Sequence, residues 1–160
     1  MSRYIFSLIL LLGAVQNSLA DEFHVILNGK AIHLDDGNYN EKNWGLGFEY
    51  DFSTQGNWIP FVHGGYFKDS NNQTSKSLGG GMKRRFRLGK STEDWYIDAG
   101  LIAFLMTRKD YKNNSPFPGA LPFITVGKSW YAMNVTYIPR VSPKHKQLMF
   151  FQLMFRLAEF

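Results

Sequence analysis

Three residues in this chain have the types that could do chemistry together: His33, Asp69 and Ser70. His33 stands just ahead of the polar stretch Asp35-Asp36 and Asn38-Tyr39-Asn40-Glu41, while Asp69-Ser70 follows Tyr66-Phe67-Lys68. A histidine, a serine and an aspartate at one place are what is needed to activate a hydroxyl or to orient a base. The same types also read as a solvated loop histidine and an ordinary Asp-Ser turn pair, so the decision falls to the elements that carry them. Other chemistries have less support. The chain has no Cys, which excludes a disulfide scaffold, a thiol nucleophile and a thiolate zinc site. His24, His63 and His145 show no metal-ligand spacing with carboxylates, so no metal is expected.

The clearest positioning element is Trp44-Gly45-Leu46-Gly47-Phe48-Glu49-Tyr50-Asp51-Phe52. Its large apolar residues fall on one face of an extended strand, with Gly45, Gly47, Glu49 and Asp51 on the other. A period of two excludes a helix. Apolar outside and small or polar inside is the pattern of a lipid-facing barrel wall. A soluble sandwich or lipocalin-like barrel would use the same alternation with the apolar face turned to its core. Further strands are expected at 23–32, 58–67, 75–86, 95–106, 121–129, 130–139 and 147–157, which with 44–52 makes eight. Each has roughly the 9–11 residues of a tilted membrane strand.

Turn signals separate these segments at Asp35 to Asn38, Thr54 to Asn57, Asp69 to Asn72, Gly89 to Ser91, Asn113 to Pro116 and Ser142 to Lys144. Lys128-Ser129 is a weaker one. Trp44, Trp58, Trp95, Trp130 and Tyr131 lie near strand ends, where interfacial aromatics gather. The predicted fold is all-β, an eight-stranded antiparallel transmembrane barrel of the outer-membrane type. In an up-and-down barrel the ends of strands one and three share a rim, which brings His33 to the same end as Asp69-Ser70. Eight strands enclose only side chains or one small ligand, so a diffusion pore is excluded.

The chain's 160 residues allow one domain, and 14 Phe, 8 Tyr and 4 Trp make it aromatic-rich. Residues 1–20 read as a secretory signal peptide: a basic start at Arg3, an apolar run from Ile5 to Val15, and small residues at Ser18 and Ala20. The run is shorter than the roughly 20 residues of a spanning helix. Cleavage is expected after Ala20, leaving 21–160 as the barrel.

The stretch Tyr39-Asn40-Glu41-Lys42-Asn43-Trp44-Gly45-Leu46-Gly47-Phe48 resembles the YNE…WGxGF run of the lipid A palmitoyltransferase (PagP) family. Gly56-Asn57-Trp58, Phe67-Lys68-Asp69-Ser70, the Pro116 to Pro122 run, Val126-Gly127 and Thr136-Tyr137-Ile138-Pro139 follow in that family's order. The resemblance covers about residues 39–157. It implies an eight-stranded outer-membrane barrel that moves a palmitoyl chain from a glycerophospholipid to a hydroxyl on lipid A. His33, Asp69 and Ser70 become the catalytic residues: His33 as general base, Asp69 orienting it, and Ser70 either hydrogen-bonding or attacking. A closed barrel has no edge that demands a partner, so a monomer is expected, and an exported barrel is not expected to bind nucleic acid; no cofactor is expected.

Gly81 corresponds to the glycine on the floor of the family's acyl-chain well, and Pro122 and Pro139 to prolines beside a lateral opening. Proline has no N–H and leaves a ladder incomplete. Gly81 also reads as part of a Gly-rich strand packed by bulky neighbours, and Pro122 and Pro139 as prolines at strand starts and ends.

The chain departs from the family in three ways. Its first strand would begin almost at the cleavage junction, with no helix before it. Its first loop is short. Asn28 and Asn43 stand where the family has the prolines of a second opening. The basic runs Met82 to Arg87 and Lys144 to Lys146 fit either phosphate contacts or a solvated rim. Two other functions stay open: a non-catalytic structural or adhesion barrel, and a lipid A deacylase using water as the acceptor.

Overall fold

A computed structural model describes residues 20–53, 56–89, 95–140 and 147–160. The expected export signal, apart from Ala20, lies outside the described residues, as do Thr54, Gln55, Lys90, Ser91, the Ser142 to Lys144 turn and the Lys144 to Lys146 basic run.

Eight strands follow one another: β1 (Ala20–His33), β2 (Lys42–Phe52), β3 (Trp58–Lys68), β4 (Thr74–Arg87), β5 (Trp95–Thr107), β6 (Phe117–Lys128), β7 (Tyr131–Ile138) and β8 (Leu148–Glu159). Each pairs antiparallel with the next, and β1 pairs with β8, which closes the barrel. Closure leaves no free sheet edge except along the start of β6. The weak turn signal at Lys128-Ser129 is a tight hairpin: Lys128 opposes Tyr131, and Ser129 takes a left-handed φ of 52°.

One boundary differs substantially from the sequence expectation. β6 starts at Phe117 rather than Leu121 and runs through Pro118, Gly119 and Pro122. These residues pair with β5 from Met106 to Leu101, but the β6–β7 ladder stops at Phe123 opposite Thr136. Pro118 and Pro122 share one parity, so their missing N–H groups point the same way. The β5 ladder runs unbroken past both, so that direction is toward β7. β6 is therefore a one-sided strand over its first six residues, Phe117 to Pro122.

The wall has the polarity of a membrane barrel. Leu46, Phe48, Leu78, Leu101, Leu105, Ile124, Met133, Leu153 and Leu157 face outward and are exposed. Trp44, Tyr66 and Tyr137 form an outward aromatic group toward the long-loop end, and Trp58, Trp95, Trp130 and Tyr131 a second at the short-turn end. Buried positions hold mostly polar or charged groups, among them Glu49, Asp51, Lys83, Arg85 and Asp98. That inversion rules out the soluble sandwich or lipocalin-like alternative.

The alternation in β8 predicts Glu159 on the lipid face. A register shift between Phe23 opposite Ala158 and His24 opposite Arg156 changes the phase, and Arg156 holds the Glu159 carboxylate at 3.2 Å.

The interior divides along its axis. In the short-turn half, Lys83 Nζ lies 2.8 Å from Glu49 and 2.7 Å from Asp51, and Arg85 makes a two-pronged contact with Asp98 at 2.9 Å. Glu22 joins through Arg156 at 2.9 Å. The Met82 to Arg87 run is therefore not a uniform basic rim. Lys83 and Arg85 point inward into this cluster, while Arg84 and Arg87 are exposed. Glu22, His24 and Asp51 converge here, with ligand-capable atoms within 4.8 Å of one another, a proximity that their spacing in the sequence does not signal. Lys83 and Arg85 already neutralise those carboxylates.

Candidate active site

At the long-loop rim, His33 Nε2 lies 2.9 Å from Ser70 Oγ, a hydrogen bond between side chains 37 residues apart in sequence. Two turns create it. Asp69 opens the β3–β4 connection as an Asx turn: its Oδ1 accepts the N–H groups of Asn71 at 2.9 Å and Gln73 at 3.0 Å. Asn72 takes the left-handed φ of 59° that closes the turn. The other carboxylate oxygen, Oδ2, accepts the Ser75 hydroxyl at 3.1 Å. Asn40, in the β1–β2 connection, then joins the two loops. Its backbone N–H donates to Ser70 O at 2.9 Å, and its Nδ2 donates to Asp69 O at 3.0 Å.

Asp69 thus shapes the loop that presents Ser70, and its carboxylate is committed to that turn. The carboxylate beside the imidazole is Glu41. Its Oε1 lies 3.8 Å from His33 Nδ1 and 3.4 Å from the His33 backbone N, which donates to it. Tyr39 stacks on the imidazole with centroids 4.3 Å apart and planes 25° apart. Sequence reasoning did not place Tyr39 or Glu41 at the site. They stand in the quoted Tyr39-Asn40-Glu41 run, where a reach from six and eight residues past His33 would have been the signal. A histidine bonded to a serine hydroxyl, with a third group fixing the ring, is the arrangement of an activated nucleophile or of a base poised over a hydroxyl.

Below the rim, the barrel is not filled on its β4–β6 side. Gly79, Gly81, Ile102, Phe104, Gly119 and Leu121 point inward yet are only half-buried. Phe61 and Phe123 close this space from below as an edge-to-face pair 5.5 Å apart, with Lys83 Nζ 5.4 Å from the Phe61 ring centre. Gly81 lies opposite Phe61 in the ladder, and a Cβ there would stand 2.8 Å from Phe61 Cζ and 2.0 Å from Leu101 O. Gly81 therefore makes room for both the Phe61 ring and the β5 backbone at Leu101, and any side chain at 81 would have to displace both.

Where the β6–β7 ladder ends, Pro122, Phe123, Ile124, Val135, Tyr137 and Met149 line an apolar groove of about 340 Å³. Phe123 belongs to both features: it lines the groove, and its ring packs inward on Phe61. Pro139 follows the end of β7 at the same rim and is not among the groove's lining residues.

The sequence matches, over residues 29–153, the family described as antimicrobial peptide resistance and lipid A acylation protein PagP. The chain belongs to the PagP family. Its relatives include the lipid A acyltransferase PagP of Laribacter hongkongensis strain HLHK9, 32% identical over 102 residues that make up 63% of this chain and 47% of the relative. The lipid A acyltransferase PagP of Shigella boydii serotype 4 strain Sb227 is 35% identical over 105 residues, covering 63% of this chain and 53% of the relative. The chain spans about half the length of these curated relatives. Among solved structures, the Yersinia pestis outer membrane protein Ail in a phospholipid bilayer nanodisc aligns with a TM-score of 0.47 and 10% identity, over 86% of this chain and 99% of that one.

Asn28 and Asn43 make side-chain bonds between strands of the β1–β3 sector. Asn28 Nδ2 donates to Tyr66 O at 3.1 Å, reaching past Gly45, and Asn43 Nδ2 donates to Lys68 O at 2.6 Å. Gln152 and Asn134 extend this polar layer across the barrel, at 2.6 Å from Asn28 Oδ1 and 3.0 Å from Gln152 Oε1. The β1–β3 sector is thus stitched by side chains between its strands, whereas the β6–β7 ladder stops at Phe123 opposite Thr136.

Proposed function

We propose that this protein is an outer-membrane lipid A acyltransferase that moves a palmitoyl chain from a glycerophospholipid to a hydroxyl on lipid A. One observation carries the reading: the His33–Ser70 pair stands at the rim of a barrel whose β6–β7 ladder stops at Phe123, beside an apolar groove. A donor lipid lies in the plane of the membrane, and the unpaired stretch of β6 lets its acyl chain pass between strands. Phe123 lines the groove and packs on Phe61, which with Gly81 ends the well. Pro122 keeps the seam from zipping, and Pro139 ends β7 beside it.

With the chain seated, the ester carbonyl reaches the rim. His33 Nε2 takes a proton from the attacking hydroxyl, a tetrahedral centre forms at the carbonyl carbon, and the ester bond to glycerol breaks. The same proton passes to the departing glycerol oxygen, releasing a lysophospholipid. With Ser70 as the attacking group, the acyl chain rests on its oxygen before passing to the lipid A hydroxyl. With the lipid A hydroxyl attacking directly, Ser70 holds the imidazole in place. No cofactor takes part. Residues 1–20 are the export signal, and the closed barrel works as a monomer.

The test is mass spectrometry of lipid A from cells without other lipid A acyltransferases, with the wild-type chain or Ser70→Ala. The expected result is one added palmitoyl chain, lost in the variant. An unchanged spectrum with the wild-type barrel folded in the membrane would return the protein to a structural role, and loss of an acyl chain would make it a deacylase.

A further inference from the structure

The outer wall is asymmetric near the long-loop rim. On β1–β4 the outward residues there include Lys30, Lys42, Lys68 and Lys76, all exposed. On β5–β8 the outward strand residues near that rim are Leu105, Thr107, Pro118, Ala120, Tyr137 and Met149, all uncharged, with Lys109 and Arg140 lying beyond the strand ends in the connections. The apolar half carries the open seam. The basic half lies on the opposite side of the barrel, under the connections that hold His33 and Ser70.

Within the basic half, Lys30 and Lys42 are direct partners across the β1–β2 ladder, placed so by the register shift after Asn28. Like charges directly opposite on one face destabilise a sheet. Their side chains make no ion pair or hydrogen bond among the described residues, so no described carboxylate offsets the repulsion. Lys68, on the neighbouring strand, has its Nζ bonded to Thr74 Oγ1 at 3.1 Å, a neutral partner. Trp44 and Tyr66 project outward just below, 69% and 47% exposed, which sets the lysines at headgroup depth. A row of unneutralised ammonium groups at that depth attracts phosphate.

We propose that Lys30, Lys42 and Lys68 form an outward-facing phosphate-binding site that holds the acceptor lipid by its anionic headgroup. The inference rests on the acyltransferase reading for the identity of that lipid, lipid A. Because the sector behind is stitched by Asn28 and Asn43, the acceptor is held from outside, with its hydroxyl reaching over the rim to His33. The two lipids then meet the barrel on opposite walls, an uncharged wall for the donor's acyl chain and a charged one for the acceptor.

The experiment measures lipid retention by native mass spectrometry on the full chain in phosphatidylcholine bilayers. The probes are lipid A with its phosphates, enzymatically dephosphorylated lipid A, and phosphatidylglycerol, with inorganic phosphate as competitor. Lys30→Gln/Lys42→Gln/Lys68→Gln is compared with wild type and with Lys128→Gln, which removes a charge at the short-turn end. About fivefold weaker binding per lysine removed, on the order of 100-fold for the triple variant, is expected for phosphorylated lipid A. Arginine at the three positions restores it, and Lys128→Gln matches wild type. Equal retention by the wild type and the triple variant overturns the site. So does equal retention of phosphorylated and dephosphorylated lipid A by the wild type. Retention of phosphatidylglycerol or capture of free phosphate as strong as that of lipid A overturns the acceptor assignment. The palmitoylation assay is read separately, so a wild-type chain that binds phosphorylated lipid A through these lysines without acylating it would fail the enzymatic reading and leave the site standing.

Discussion

The two halves of the barrel interior are built from the same strands to opposite ends. Toward the short turns, Lys83 and Arg85 meet Glu49, Asp51, Asp98 and Glu22 in a buried cluster, with Arg85 over the Tyr96 ring of the apolar group Ile26, Tyr96, Ala132 and Met154. Toward the long loops, the inward residues of β4–β6 are glycines and apolar groups that leave space. The first half is a stopper, and the second is a container whose depth the stopper sets, because the Phe61 ring rests above Lys83. Ion clusters are not an efficient source of stability, since well-packed apolar groups often do as well. Here they also fix which face looks inward. A one-residue slip of β2 or β4 would turn Glu49 and Asp51, or Lys83 and Arg85, into lipid. The contrast teaches that chemistry and rigidity are kept at opposite ends of one small barrel.

The sharpest test of that division lies at the rim. Ser70→Ala removes one member of the hydrogen-bonded pair and is expected to lower acyl transfer by roughly 10²–10⁴-fold. Unfolding in urea-containing bilayers should stay within about 0.5 kcal/mol of wild type, as for an ordinary surface change. A stability loss in place of an activity loss would mean that the rim is scaffold as well.

Lys83→Met is the converse experiment at the stopper. It leaves Glu49 and Asp51 buried without their shared cation and is expected to cost about 3–5 kcal/mol of folding free energy, read by the same unfolding titration. Protein that remains folded should keep the His33–Ser70 bond and its turnover, while tolerating longer acyl chains as the floor beneath Phe61 loosens. An unchanged unfolding curve would show that the cluster does not hold the floor.

Gly81→Met acts at the boundary between the halves. The new side chain collides with Leu101 O and the Phe61 ring, so it shortens the well from below. Each methylene of mismatch in an apolar pocket is worth about 1–3 kcal/mol, or roughly 10–200-fold. Palmitoyl transfer should fall by that range per methylene, with shorter donor chains becoming preferred in a competition assay of mixed phospholipids. A uniform loss across all chain lengths would mean that Gly81 serves packing alone.

How much of this was legible in the sequence depended on whether the signal was local. The β2 alternation from Trp44 to Phe52 is a period-two pattern, and it placed Glu49 and Asp51 inside. Lys83 and Arg85 lie on the same inward parity as Gly79 and Gly81, yet three adjacent basic residues read as a solvated or phosphate-facing run. Only the register that sets Arg85 opposite Asp98 reveals their partner. The start of β6 was missed because Pro118, Gly119 and Pro122 are poor strand residues, and a strand paired on one side tolerates them. The shared rim followed from topology. That Glu41 and Tyr39, not Asp69, flank the imidazole required the folded loop.

That last point gives the smallest predicted effect and a discriminating one. If Asp69 oriented His33 by its charge, Asp69→Asn would remove most activity. In the geometry here, Oδ1 serves as an acceptor for two backbone N–H groups and Oδ2 as an acceptor for Ser75. An asparagine keeps the first role through its carbonyl oxygen, and its amide can donate to the Ser75 hydroxyl in place of the second. The turn presenting Ser70 therefore survives, and acyl transfer by Asp69→Asn should stay within about tenfold of wild type, about 1.4 kcal/mol. Asp69→Ala leaves the same N–H groups without an acceptor and should cost much more, since the loop that positions Ser70 loses its anchor. Initial rates at matched donor and acceptor lipid concentrations separate the two variants. If Asn proved as damaging as Ala, the negative charge itself would be required, and Asp69 would move from the scaffold of the rim into its chemistry.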